Sequence, residues 1–374
     1  MPPHTNVQFY GDKLRLARLL ASLSLDELGN LVGASRQYVH QLETGAKEPS
    51  TEMRAALAAA LDVQPYFFTT PAINAVREDD CHFRKLMTTP RTVMAQAAAR
   101  GTLTEMIVNA LDNRLRLPKV DFPDFGKPRS LEEVEQIAEN ARLHWKLDLD
   151  APITNVTRVV ENAGAVVIHF DDISDRIDAL SIARRRPIIV RSSAKTAAVR
   201  LRFDIAHECG HLIMHQGIVT GDRETEEQAH RFASAFLIPR AAFAKEFPRT
   251  RRGLDWLQLY QMKLRWKMSV RAIVRRAYDL SLIDAAQYRT ANIHLTKTGQ
   301  AKAERYDDTL ESEAAELMEA ALRVLNARDI TSVHTMLNEL GINPDLFEQI
   351  TNYSLPDLPN KIIPINFPKT ASME

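Results

Sequence analysis

Between residues 8 and 65, apolar positions recur at three- and four-residue intervals, interrupted by turn residues and almost free of β-branched runs. This pattern predicts a compact all-helical unit. Leu14, Leu16, Ala17 and Leu20 form the inner face of a first helix over 12–23. Ser24 then precedes LDELGNLVG, with Glu27 three residues on, a capping box in which hydroxyl and carboxylate each satisfy a backbone N–H. Gly33 ends this second helix, Ser35 opens a third that runs through Glu43 to Gly45, and Pro49-Ser50 leads into a fourth ending near Asp62. CHFRKL, from Cys81, reads as a short extended segment, and 92–117 as a helix stopped by Pro118. Pro118, Pro123, Gly126 and Pro128 mark a boundary. A helix over 131–147 precedes three β-rich runs, AVVIHF, DALSIA and PIIVRS, which suggest a small sheet. Helical patterns return in VRLRFDIAHECGHLIMHQG, in EEQAHRFASAFLIPR up to Pro239, over 254–264 and over 269–280. Two or three acidic amphipathic helices over 306–350 and an irregular, proline-bearing tail over 354–374 complete a mostly α chain with a small sheet, an α+β class.

A length of 374 residues predicts at least two domains. Hydrophobic residues at 45% and charged residues at 26%, with 13 Gly and 18 Pro, exclude disordered, collagen-like and fibrous classes. The two cysteines, Cys81 and Cys209, make neither a disulfide framework nor a four-thiolate zinc site. No apolar stretch approaches the roughly 20 residues that cross a bilayer, and MPPHTNVQFYGDK lacks a signal pattern, so a soluble cytoplasmic protein without a membrane partner is expected. The zero net charge conceals a local pattern: 245–276 holds ten basic residues against two acidic, and 304–348 three basic against eleven acidic. A second basic stretch, 82–119, has seven against two. Such stretches either bind polyanions or form solvated helix faces.

Two short helices about a turn at Gly33-Ala34 are what a helix-turn-helix requires, the second lying in a major groove. LDELGNLVGASRQYVHQLETGAKEPS resembles the XRE repressor-type family, which implies a lambda-repressor-like fold over about 60 residues. Arg36 can pair with guanine and Gln37 with adenine, His40 and Gln41 lie one turn along the same side, and Val39 and Leu42 point inward. Leu25 departs from the family, which often has Gln there, and residues 1–70 carry six basic against seven acidic residues. One copy should therefore bind weakly, so double-stranded operator DNA is expected to be held by a homodimer or with help from the basic region.

His207, Glu208 and His211 form HExxH. Two imidazoles four residues apart on a helix can meet one Zn²⁺, and the glutamate between them can act on a water. His215 is roughly 12 Å from His207 along the helix, too far to share that ion, so the third ligand must come from another element. Glu226 on the next helix is the first candidate and Glu227 the neighbour, with His230 a group that would support a ligand from behind. Arg184, Arg185, Arg186, Arg191, Lys195, Arg200 and Arg202 precede the site; they favour an acidic substrate, bind nucleic acid or merely solvate the surface.

Together, RFDIAHECGHLIMH and EEQAHRFASAFLIP resemble the ImmA/IrrE family of metallo-endopeptidases over roughly 130–300. The resemblance implies a zincin-like core and a zinc ligand set of His207, His211 and Glu226, the last opening the family's E-x-x-A element. It also implies Glu208 as general base and cleavage of repressor-type proteins. His230 stands where many members have Asn, and Cys209 where a larger apolar residue is common. The expected cofactor is one Zn²⁺ per chain, with Mn²⁺ the other ion such a set accepts. An extended substrate is expected to pair with the strand at 187–192. The domains expected are a helix-turn-helix at 1–70, a basic helical linker at 71–128, a peptidase at 129–300 and an acidic helical module with tail at 301–374. Two functions compete. One is a regulator that controls repression by proteolysis, as an antitoxin or a prophage or stress-response regulator, cutting a repressor, a toxin partner or itself. The other is a transcription factor whose peptidase fold senses or binds proteins without turnover; a zinc hydrolase of non-peptide substrates is a third.

Overall fold

The structure is a computed structural model and describes residues 8–70, 75–76, 81–85, 90–170, 177–192, 197–218, 220–248, 253–328 and 332–356. Lys195 and the tail beyond residue 356 lie outside them. The N-terminal unit contains α1 (Gly11–Leu20), α2 (Leu25–Val32), α3 (Arg36–Glu43) and α4 (Thr51–Ala60). Ser24 accepts from Glu27 N at 3.2 Å and Glu27 accepts from Ser24 N at 2.7 Å, so the capping box forms. Ser35 and Ser50 cap the next two helices by accepting from Tyr38 N and Met53 N. Gly33 ends α2 with φ +66°, a left-handed conformation that costs glycine no side-chain clash. Arg18 fixes α1 against α3 through two bonds to Glu43, at 2.6 and 3.0 Å, with both side chains largely out of water.

Strand β1 (Cys81–Lys85) and α5 (Arg91–Asp112) lead to an irregular connector, then α6 (Leu131–His144) and α7 (Val156–Asn162). Three more strands, β2 (Val166–Phe170), β3 (Ile177–Ile182) and β4 (Ile188–Ser192), complete a sheet in the order β1-β3-β4-β2. Only β2 and β4 pair in parallel; the other neighbours are antiparallel. This order corrects one expectation: β4, the strand at 187–192, is hydrogen-bonded on both sides and cannot add a substrate by edge pairing. The connector is ordered against its neighbours, with Asp121 N donating to Ala163 O and Phe125 N to Ile213 O.

The chain continues through α8 (Ala198–Met214), α9 (Arg223–Leu237), α10 (Arg240–Glu246), α11 (Trp256–Trp266), α12 (Val270–Asp279) and α13 (Ala285–Lys297). It closes with α14 (Leu317–Arg328), α15 (Ser332–Leu340) and α16 (Pro344–Thr351). Alternation along the central strands sorts the interior into two cores. Val167 and Ile189 face the core of α6 to α12, whereas Val166, Ile168, Ile188 and Val190 face a second core. That second core holds α1 to α5 together with α14 to α16, so the segments read as linker and appended module line the same interior as the helix-turn-helix.

Part of the uneven charge is spent inside the molecule. Lys263, fully buried, meets Glu304 at 3.0 Å and Asp307 at 2.6 Å, and Arg276 meets Glu135 at 3.0 Å with neither exposed. Of the arginines before HExxH, Arg186 pairs with Asp112 at 2.9 Å, Arg202 with Glu313, and Arg191 donates to the Glu313 carbonyl at 3.2 Å. Such pairs hold elements together and leave Arg185 and Arg200 of the run exposed.

Candidate metal centre

Helix α8 crosses under the sheet with Ile205, Ala206, Cys209, Leu212 and Ile213 buried. His207, Glu208 and His211 are also fully buried. Burying three ionisable groups is costly unless they are paired or hold an ion. Burial pushes the Cys209 thiol up, which leaves it an inert packing group.

Close approach of α9 supplies the third group. A side chain at Gly210 would meet the Phe232 ring at 2.9 Å, so the absent side chain lets the two helices touch. Asp222 caps α9 by accepting from Glu224 N at 2.8 Å and Thr225 N at 3.0 Å, fixing the first turn that carries Glu226. The Glu226 carboxylate lies 3.4 Å from Nε2 of His207 and 3.4 Å from Nε2 of His211, and the two nitrogens are 3.1 Å apart. Ligands about 2.0–2.1 Å from a tetrahedral ion stand roughly 3.3 Å from one another. The three groups therefore already have the spacing that such an ion requires. Burial raises the Glu226 pKa, but hydrogen bonds to the two histidines outweigh it and hold the carboxylate well below its usual range. Glu227 is exposed and is not part of this cluster.

Two supports escaped the sequence reading. Ser181 on β3 donates to Oε2 of Glu208 at 2.6 Å in a buried contact, which fixes the carboxylate beside the cluster. His215 sits behind His211, with 2.9 Å between their Nδ1 atoms, and its Nε2 lies 2.9 Å from Oε1 of Gln228. Gln228 Nε2 donates to the Pro128 carbonyl at 3.1 Å, so its oxygen is the atom turned to His215. His215 must then donate from Nε2 and accept at Nδ1, which assigns a proton to Nδ1 of His211 and leaves Nε2, the atom beside Glu226, as the one that would meet an ion. Burial, opposed by the Gln228 bond, pushes His215 down to about 4, so it is neutral at pH 7. The i, i+4 spacing of His211 and His215 carried this signal. Ser181 had no signal short of the sheet order. His230 packs edge-on against His207, ring centres 4.6 Å apart, and its Nδ1 lies 2.8 Å from the Glu226 carbonyl, at the rim of the site.

At the other end of the chain, Arg36, Gln37 and His40 are exposed along α3 and Gln41 half-buried, while Val39 and Leu42 are fully buried. Arg36 lies 3.6 Å from Asp26, with both side chains mostly in solvent, an arrangement loose enough to yield to a base.

The helix-turn-helix domain family matches residues 10–65, and the IrrE N-terminal-like domain family matches residues 160–278. The chain is a fusion of an XRE-like helix-turn-helix domain with an IrrE-like peptidase domain. No curated protein matches it. The IrrE-like segment includes both motifs and every member of the cluster, whereas α5, α6 and α14 to α16 lie outside both matches. A metallopeptidase-like fold and a DNA-binding domain therefore occur together in one α+β chain. Among the described residues no helix is long and apolar enough to cross a membrane.

Proposed function

We propose that the fusion is a DNA-binding transcriptional regulator that hydrolyses a peptide bond, its own or a partner's, to change repression. The observation that carries this reading is the convergence of His207, His211 and Glu226 on ion-binding spacing beside a Glu208 held by Ser181. The residues fit a single Zn²⁺ with three protein ligands, the number found in catalytic rather than structural sites. When bound, the ion supplies a Lewis acid that polarises the scissile carbonyl and acidifies the attacking water. Glu208 takes the proton released in that attack and passes it to the departing amine nitrogen. Ser181 keeps its carboxylate aimed through both transfers. Meanwhile Arg36, Gln37, His40 and Gln41 read operator DNA as a homodimer, since one near-neutral domain gives little phosphate attraction.

Elemental analysis of wild type and His207→Ala, with a parallel incubation for fragments, tests the reading. About one zinc per chain in wild type, none in the variant, and metal-dependent fragments that disappear in Glu208→Gln are expected. Absence of metal from both proteins overturns it. Zinc in both wild type and Glu208→Gln, with no proteolysis and unchanged promoter control, leaves a regulator that senses through this fold without turnover.

A further inference from the structure

A cleft of about 650 Å³ opens between α8, α9, α12 and α13, within the roughly 300–1,000 Å³ of ligand sites. It adjoins the metal cluster, because His230, packed on His207, and Phe203, 5.9 Å from His230, form its near wall. Val199, Phe203, Ala272 and Leu131 give it an apolar floor. Around the rim stand Arg200, Arg223 and Arg275, exposed, and Arg271, half-buried. The carboxylates of the lining cancel this charge only in part: Asp279 answers Arg275, and Arg200, Arg223 and Arg271 remain. Asp204 is buried, and Asp279 is committed to Arg275 at 2.8 Å and Arg231 at 3.6 Å, which leaves Glu227 as the exposed acid.

We propose that this cleft binds the substrate segment next to the scissile bond and selects an apolar side chain flanked by carboxylates. The inference rests on the peptidase reading and names its substrate class: an acidic polypeptide segment anchored by an aromatic or aliphatic residue. Guanidinium groups pair with carboxylates in a planar, two-bond geometry, while the floor takes the side chain between them. A nucleic acid would match the rim but not a concave apolar floor, so the peptide is the occupant.

Binding is measured with zinc-loaded Glu208→Gln, which removes cleavage from the readout. The probes are three fluorescein-labelled nonapeptides with a central Phe flanked by Glu, Gln or Lys, and a labelled single-stranded oligonucleotide. The Glu peptide is expected to bind at least about tenfold tighter than the Gln peptide, with the Lys peptide weaker still. That preference is expected to vanish in the Arg200→Glu/Arg223→Glu variant, which changes two exposed side chains and keeps the metal content. Equal affinities, no binding, a preference that survives charge reversal, or tighter binding of the oligonucleotide each overturns the proposal. Preferential binding of a Glu peptide that zinc-loaded wild type never cuts would instead sink the peptidase reading and leave an acidic-peptide site.

Discussion

The carbonyl of Pro128 determines where protons sit in a chain that ends at Nε2 of His211. A backbone carbonyl can only accept, so Gln228 must turn its amide nitrogen to it, and His215 must donate to the amide oxygen. Each link is short and buried, and the result is a proton on Nδ1 of His211, with Nε2, the nitrogen beside Glu226, left as the atom that would meet an ion. Gln228→Met keeps the volume and removes the acceptor that fixes the His215 tautomer. Its apparent zinc affinity, read by competition with a chelator, is expected to fall about 10–100-fold while far-ultraviolet circular dichroism stays that of wild type. An unchanged affinity would show that the chain does not orient His211. HExxH made two ligand candidates legible from spacing alone, because i and i+4 share a helix face. Gln228 and Ser181 were not legible, since each acts on a partner brought to it only by tertiary packing.

The helix starts at Ser24 with Glu27, Ser35 and Ser50 were readable, and each caps as its position suggests. Short helices without a strong period, α7 and α10, went unread, as did α13, whose outer face holds Ile293 in solvent. The contact of α1 with α5 hid a different feature. Lys13, which belongs to a polar residue type, is 2% exposed, its Nζ 3.8 Å from Met106 Sδ and 4.1 Å from the centre of the Phe67 ring. Burial, partly offset by Asp12, lowers its pKa to about 8 from 10.5. Between those values the unfolded chain binds more protons than the folded one, so this residue makes stability rise with pH across that window. Lys13→Met is expected to stabilise the protein at pH 7 by on the order of 1–3 kcal/mol. The gain should shrink from about pH 8 and vanish near 10.5 in urea titrations run along that range; a gain independent of pH would mean that Lys13 keeps its ordinary pKa in the folded chain.

At the scale of the whole molecule, the two matched domains are joined by elements that belong to neither match. Val63 bridges to Ile342, Gln64 N donates to the Gly341 carbonyl at 2.9 Å, and Tyr66 donates to the Asn338 carbonyl, so α15 and α16 dock on the end of the helix-turn-helix. The same C-terminal run is anchored on the peptidase side. Glu313 pairs with Arg202 of α8 and accepts from Thr157 N at 2.8 Å, and Glu161 accepts from Glu316 N and Leu317 N at 3.1 Å, capping α14. Acidic residues of this run thus lock it to basic partners, Glu313 to Arg202, Glu316 to Arg158 at 2.7 Å and Glu304 to Lys263 at 3.0 Å. Because α14 to α16 share a core with α1 to α5, the N-terminal half should unfold with them as one unit. Phe347, fully buried on α16, tests this. Phe347→Ala leaves a cavity that costs about 3–5 kcal/mol. In hydrogen exchange, protection is expected to fall together across α1, α5, α15 and α16, while α8 and α9, in the other core, keep theirs. If faster exchange were confined to α16, the C-terminal helices would be a cover laid on a finished domain, and the sheet face bearing Val166 and Ile168 would have to be closed by α5 without them.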